Sequence, residues 1–209
     1  KPQKKKKKKK RERKMWAAKH EKLPFTSAQI EFMSEDTSIS VTPLFKESML
    51  TFVGGNYGPF RPGLTTDVPL WLALALKKNQ KCNILTPHWL SVDYLQTKLE
   101  MEREEDTYLC EMPYHYLEIA TQLLHHASDD VRQPDRVQVL IDDLYRIRSA
   151  KIRKSIQTME NDDPVQLTNY CAMELNYQRM WLLKAFDQMH ALSVAQPSLL
   201  PPPPRPTAP

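Results

Sequence analysis

The spacing of apolar side chains changes character once along the chain. In the first part it is mixed. Thr26-Ser-Ala-Gln29 has the hydroxyl and, three residues later, the amide of a capping box, which predicts a short helix through Ile30 and Phe32 to about Ser34. Ser38-Ile-Ser-Val-Thr42 then alternates with a period of two, and residues 49–53 form a second strand candidate, so a small β-containing module is expected over roughly 35–66. All four glycines fall within Gly54-Gly-Asn-Tyr-Gly-Pro-Phe-Arg-Pro-Gly63. That segment predicts a shaped turn in which Gly54, Gly55, Gly58 and Gly63 supply unusual backbone angles, while Pro59 and Pro62 stiffen the path.

From Pro69 onward the period is helical. Asp67 is a candidate cap for a helix over 70–79 that is apolar on nearly every side and expected to be buried all round. Residues 82–85 read as a short extended connector stopped by Pro87. Ser91 is a good cap for a helix reaching about Glu105, with Val92, Leu95 and Leu99 on one face and charge on the other. Pro113 opens another, with Tyr116, Ile119, Ala120, Leu123 and Leu124 at helical spacing, broken at Asp129-Asp130. The longest helix runs from Arg136 to about Met159, with Val137, Leu140, Ile141, Leu144 and Ile147 as its stripe, and Asn161-Asp-Asp-Pro164 ends it. A last helix, about 169–192, carries Met173, Tyr177, Met180, Leu183 or Lys184, and Phe186 on a broad apolar arc. The expected fold is mainly α, α+β overall. A basic tail (1–22) precedes a small β-rich domain (23–66), an α-helical bundle domain (67–195) and a proline-rich tail (196–209).

Charge changes this picture only at one end. The chain holds 30 Lys and Arg against 25 Asp and Glu, but residues 1–14 contribute eleven of the basic residues and one acid, leaving 19 basic against 24 acidic elsewhere. A pI of about 9.0 therefore describes a tail, and the body is mildly acidic, which gives no basis for a DNA-binding surface there. Lys4, Lys5, Lys6, Lys7, Lys8, Lys9, Lys10, Arg11 and Arg13 fit either a nuclear-import signal or phosphate contact, and Met15, just after the run, is the expected natural start. Cys82, Cys110 and Cys171 form no C-x-x-C and are expected to be reduced thiols in an intracellular protein. The longest apolar stretch, 68–76, includes a proline and is too short to span a bilayer, so no membrane partner is expected.

Candidate chemistry is sparse. Pro59 and Pro62 remove two backbone donors from the glycine segment, which has neither Gly-Lys-Ser/Thr nor Gly-x-Gly-x-x-Gly and so makes no phosphate cradle. His88, His115 and His125-His126 lack zinc spacing, and the doublets Asp129-Asp130, Asp142-Asp143 and Asp162-Asp163 are not facing carboxylates. No nucleophile signature is present. The sequence therefore predicts no enzyme, metal or cofactor. Arg146, Arg148, Lys151, Arg153 and Lys154 crowd the later half of the longest helix, where they either complement the helix dipole or dock on an acidic partner or phosphates. Trp71, Trp89, Trp181, Met173, Met180 and Met189 exceed what a five-helix domain readily buries, which points to interfaces.

The glycine-proline segment running on to Leu64, Val68-Pro-Leu-Trp-Leu-Ala73, Gln80-Lys-Cys82 and Pro87-His-Trp-Leu90 resemble the Psf-two family, subunit two of the GINS complex. Arg148-Ser-Ala-Lys-Ile-Arg153 and Met173-Glu-Leu-Asn176 are similar to its later helix motifs, so the resemblance covers about 26–192. It implies a non-catalytic nuclear subunit bound to three sister GINS subunits, in a scaffold joining the MCM ring and its Cdc-forty-five partner as the replicative helicase. Contact with DNA is then indirect or weak. The candidate partner interface comprises Trp71, Arg148, Lys151, Arg153, Tyr177 and Trp181. One departure is Cys171, which stands where the family offers a Thr cap three residues before the Glu, so Thr168 or Asn169 is expected to cap one turn earlier. The rival reading is a nucleic-acid-binding protein acting through the Lys-rich tail and the basic helix patch.

Overall fold

A computed structural model describes residues 25–105, 108–157 and 168–195. The basic tail, Met159, the Asn161-Asp-Asp-Pro164 stop and the proline tail lie outside these residues. Helix α1 (Ser27–Ser34) opens on the expected capping box: the Thr26 side chain accepts from the Gln29 N–H and the Gln29 side chain accepts from the Thr26 N–H. Strand β1 (Ser38–Pro43) buries Ile39, Val41 and Pro43 and turns its alternate residues outward. It is the middle of a three-stranded antiparallel sheet, flanked by β4 (Thr66–Pro69) and β5 (Cys82–Ile84), with Ile39 opposite Val68 and Val41 opposite Ile84. The expected connector at 82–85 is thus the third strand; three residues are too few to show a period, and only the pairing with β1 identifies them.

Between β1 and β4 stands a hairpin of β2 (Leu50–Phe52) and β3 (Gly55–Tyr57), turning at Val53-Gly54. Gly58 and Gly63 have φ of +125° and +79°, and a side chain at Gly58 would meet the Met49 backbone and the Phe60 ring at 3.3 Å. Glycine is therefore required where the chain leaves the hairpin. Phe60 is fully buried and stacked on Phe45, with centroids 5.2 Å apart.

Helix α2 (Leu70–Lys78) buries Leu70, Leu72, Ala73 and Leu76. It is not buried all round, because Ala75 is exposed and Trp71 and Leu74 are half-buried. Nor does Asp67 cap it. The first N–H groups of α2, those of Leu70 and Trp71, donate to the Thr37 and Glu35 carbonyls at 2.9 and 3.1 Å, so the α1–β1 turn does the capping. Asp67 sits on β4 and accepts from the Ser40 hydroxyl at 2.6 Å.

The helical part contains α3 (Val92–Glu104), capped by Ser91 as expected, α4 (Tyr116–His126), α5 (Pro134–Gln157) and α6 (Ala172–Ala195). The main apolar core runs from the sheet face through Leu70, Leu90 and Leu95 to Tyr116, Leu123 and Leu144. Asp130, at the corner between α4 and α5, ties the two parts polarly. It accepts the Ile84 N–H at 2.8 Å and pairs with Lys77 at 2.8 Å, while its carbonyl takes the Thr86 hydroxyl. The fold is mainly helical, with the small antiparallel sheet ahead of a helical bundle. Among the described residues no helix is long and apolar enough to cross a membrane.

Candidate functional site

The sequence places Arg148 and Lys151 in a basic cluster, but their position along α5 decides otherwise. Val137, Ile141 and Leu144 define the buried stripe, and Arg148 falls four residues past Leu144, on the same face. The structure buries it completely, and Lys151 is 8% exposed. On α3 the same logic brings Glu102 in behind Leu95 and Leu99.

Arg148 is the centre of a closed network. Its Nε donates to Glu174 Oε1 at 2.7 Å, and Nη2 donates to Glu174 Oε2 at 3.0 Å and to the Asn169 carbonyl at 2.6 Å. Nη1 donates to Glu102 Oε1 at 2.7 Å and to the Cys110 carbonyl at 2.8 Å. All five guanidinium N–H groups thus have an oxygen. Lys151 Nζ meets Glu102 Oε2 at 2.5 Å, so two cations balance two carboxylates. Tyr116 donates its hydroxyl to Glu174 at 3.1 Å and lies beneath the guanidinium, 5.9 Å from ring centroid to Cζ. Burial alone would pull the Arg148 pKa down; the hydrogen bonds and charge of Glu174 more than offset this and hold it above its ordinary value. Burial, then Glu174, push the Tyr116 hydroxyl up.

The network also settles the start of α6. Cys171 immediately precedes the helix; its carbonyl accepts the Leu175 N–H at 2.9 Å, and its N–H donates to Glu174 Oε2 at 3.1 Å. The expected earlier cap at Thr168 or Asn169 is not formed. Asn169 instead takes φ +62° and gives its side-chain amide to the Leu109 carbonyl. A thiol suits the cap position because it is fully buried, and burial followed by Glu174 pushes it up to about 12.

What this clamp holds outward is apolar. On α6, Tyr177 is 52% exposed and Trp181 71%, with Leu183 and Phe186 also open. Across from them α1 exposes Phe32 and Met33. Between the two helices lies an apolar groove of about 380 Å³, lined by Phe25, Ile30, Met33, Tyr114, Leu182 and Phe186 among others. Two polar ties span it: Asn176 donates to the Phe25 carbonyl at 2.6 Å, and the Ser27 and Tyr177 hydroxyls stand 3.2 Å apart.

The remaining sequence candidates scatter. Trp71 is half-buried, packed edge-on against Phe52 and Tyr57 at 5.1 and 6.1 Å, where it anchors the hairpin. Arg153 is exposed on α5, and Arg146 is solvated at the edge of Asp143. Met173 is buried, and the side chains of Met180 and Met189 are outside the described set. Gly54, Gly55, Gly58, Pro59, Pro62 and Gly63 form the hairpin tip and its exit, distant in sequence from the exposed face of α6. The structure therefore brings Tyr177 and Trp181 onto one surface and separates Arg148, Lys151 and Trp71 from it.

A family profile described as PSF2 N-terminal domain matches residues 26–85, and one described as GINS complex protein helical bundle domain matches 89–182. The protein named DNA replication complex GINS protein PSF2 in Homo sapiens is 35% identical over 168 residues, covering 79% of this chain and 91% of that protein. Its Xenopus laevis counterpart is 33% identical over the same coverage, and that of Debaryomyces hansenii 30% identical over 79% of this chain and 80% of its own. With both profiles in order along the observed sheet and bundle, this chain belongs to the PSF2 family of GINS proteins.

Proposed function

We propose that the chain is a non-catalytic, nuclear scaffold subunit of a GINS heterotetramer acting in DNA replication, and that the tetramer joins the MCM ring and its Cdc-forty-five partner in the replicative helicase. The observation that carries this reading is the exposed aromatic face of α6. A helix whose inner face is fixed by two hydrogen bonds from Arg148 to Glu174, and whose outer face offers Tyr177 and Trp181 to water, is built to be covered. The three sister subunits are the partners proposed for that face, and Arg153, exposed on α5, is proposed as a further contact. Division into a β-rich domain over 23–66 and a bundle over 67–195 is part of the same proposal, and so is a structural role for the glycine-proline turn.

The rival nucleic-acid reading loses support, since Arg148 and Lys151 are spent on internal carboxylates and are not available to phosphates. Co-expression with three sister subunits, followed by size exclusion with light scattering, tests the proposal. The expected result is a one-to-one-to-one-to-one complex. Trp181→Ala should weaken it by about 2 kcal/mol or more, as for a central aromatic anchor, while changing the chain's own stability by no more than ~0.5 kcal/mol. A monomer that ignores the sisters overturns the scaffold reading.

A further inference from the structure

Beside the apolar groove, α1, α4, α5 and α6 enclose a second cavity of about 180 Å³ with a different chemistry. Its lining includes Glu31, Glu118, Thr121, Tyr145, Met173 and Tyr177. Glu118 is 1% exposed, yet neither carboxylate oxygen has a hydrogen-bond partner. Its nearest ionisable neighbour is His115, whose Nδ1 stands 3.7 Å from Oε1, too far for a hydrogen bond, and Nδ1 is itself unpartnered. The buried amide oxygen of Gln122, one turn further along α4, is also without a donor. Burial, the largest influence, pushes the Glu118 carboxyl above its ordinary range.

Two carboxylate oxygens that lack donors, a second carboxylate in Glu31, and two tyrosine rings describe a pocket short of one thing: a cation. No Lys or Arg is among the residues lining it. We infer that this pocket receives a single arginine or lysine side chain presented by a partner protein, with Glu118 as its counter-ion at the floor and Tyr177 at the mouth. The inference rests on the scaffold reading and deepens it. Tyr177 lines the cavity and also belongs to the exposed stripe with Trp181, so a segment covering that stripe passes directly over the opening. The partner is thus an apolar segment that carries one cation inward, a design in which the buried charge supplies register and the aromatic surface supplies area.

The test uses the four-subunit assembly and the full-length chain alone. Glu118→Gln keeps the shape and removes the charge. The expected outcome is about a tenfold loss of affinity for the sister subunits, equivalent to roughly 1.4 kcal/mol, with the melting temperature of the free chain unchanged or higher. Glu31→Gln, on the half-exposed rim, should give a smaller loss in the same direction and does not depend on a core substitution folding. Unchanged assembly in both variants overturns the inference. So does a fall in the free chain's melting temperature that parallels the loss of affinity, which would make Glu118 a structural residue. If removing residues 1–22 reproduces the loss and Glu118→Gln then adds nothing, the cation belongs to this chain's own basic segment and the partner assignment fails. Should the wild-type chain not assemble at all, the scaffold reading falls first, a result distinct from wild-type assembly that ignores Glu118.

Discussion

Arg148 and Glu118 are both buried charges, and the protein treats them in opposite ways. Arg148 has an oxygen for every N–H, two carboxylates in contact and a tyrosine ring beneath it. Glu118, held on the preceding helix α4, has no hydrogen bond to either oxygen. A desolvated ion is tolerable only when its surroundings replace the water it lost. The first site is therefore complete within this chain, where it fastens α3, α5 and α6 together. The second is incomplete, and its cavity is lined by Tyr177 of the exposed α6 face. The difference separates what the chain does for itself from what it leaves for another molecule to do.

The strongest way to break the comparison is to make the complete site incomplete. Arg148→Met should lower the stability of the chain by about 3–5 kcal/mol, because it strands Glu174 beside Tyr116 and removes one partner of Glu102. Thermal or urea unfolding reads this directly. Adding Glu174→Gln should recover a substantial part of the loss, since the damage comes from uncompensated charge more than from lost packing. An Arg148→Met chain as stable as wild type would mean that the network carries no net stability.

How much of this contrast was readable from sequence depends on where the partners come from. The capping box at Thr26, the alternation in β1, the Ser91 cap and the stripe on α5 are local patterns, and each appears where expected. Arg148 was half legible. Four residues past Leu144, it stands on a buried stripe, and a charge at such a position signals an internal partner; its motif made it look instead like one of a surface cluster. Glu102, three residues past Leu99, gave the matching signal. Glu118 was not legible at all. With His115 and Gln122 it forms a polar face of α4 that reads as solvated, and it is covered with help from α1 and α6, brought in from more than fifty residues away. The exposure of Trp181 was expected on counting alone, and the structure adds its position beside Tyr177.

A milder perturbation asks whether the incomplete side is also the weaker one. Helix α1 has eight residues, and its ties to α6 are the Asn176–Phe25 and Ser27–Tyr177 contacts plus packing of Ile30 against Ala172 and Met173. Thr26→Ala removes the capping hydroxyl and should cost about 1 kcal/mol. Because α1 contributes little to the main core, hydrogen exchange should show the loss as faster opening of α1, with amides in α3 and α5 unchanged. Equal acceleration throughout would show that the two sides unfold as one unit.

The smallest effect is the most specific to Glu118. Burial raises its carboxyl above the ordinary 4.5, so the folded chain holds that proton more tightly than the unfolded chain does. The associated stability is present in full below the unfolded pKa and is lost as the pH rises through the folded one. The stability of the free wild-type chain should therefore decline over the window that begins near 4.5 and extends upward, beyond the contributions of other groups. Glu118→Gln should remove that portion of the decline, because the amide never has to ionise in the cavity. Glu31, Tyr145 and Tyr177 line the same cavity, and His115 Nδ1 stands 3.7 Å from the carboxylate. A second profile with His115→Gln separates its contribution. If the Glu118→Gln curve superimposes on wild type across the window, the carboxyl titrates as an exposed group does, and the contrast with Arg148 disappears.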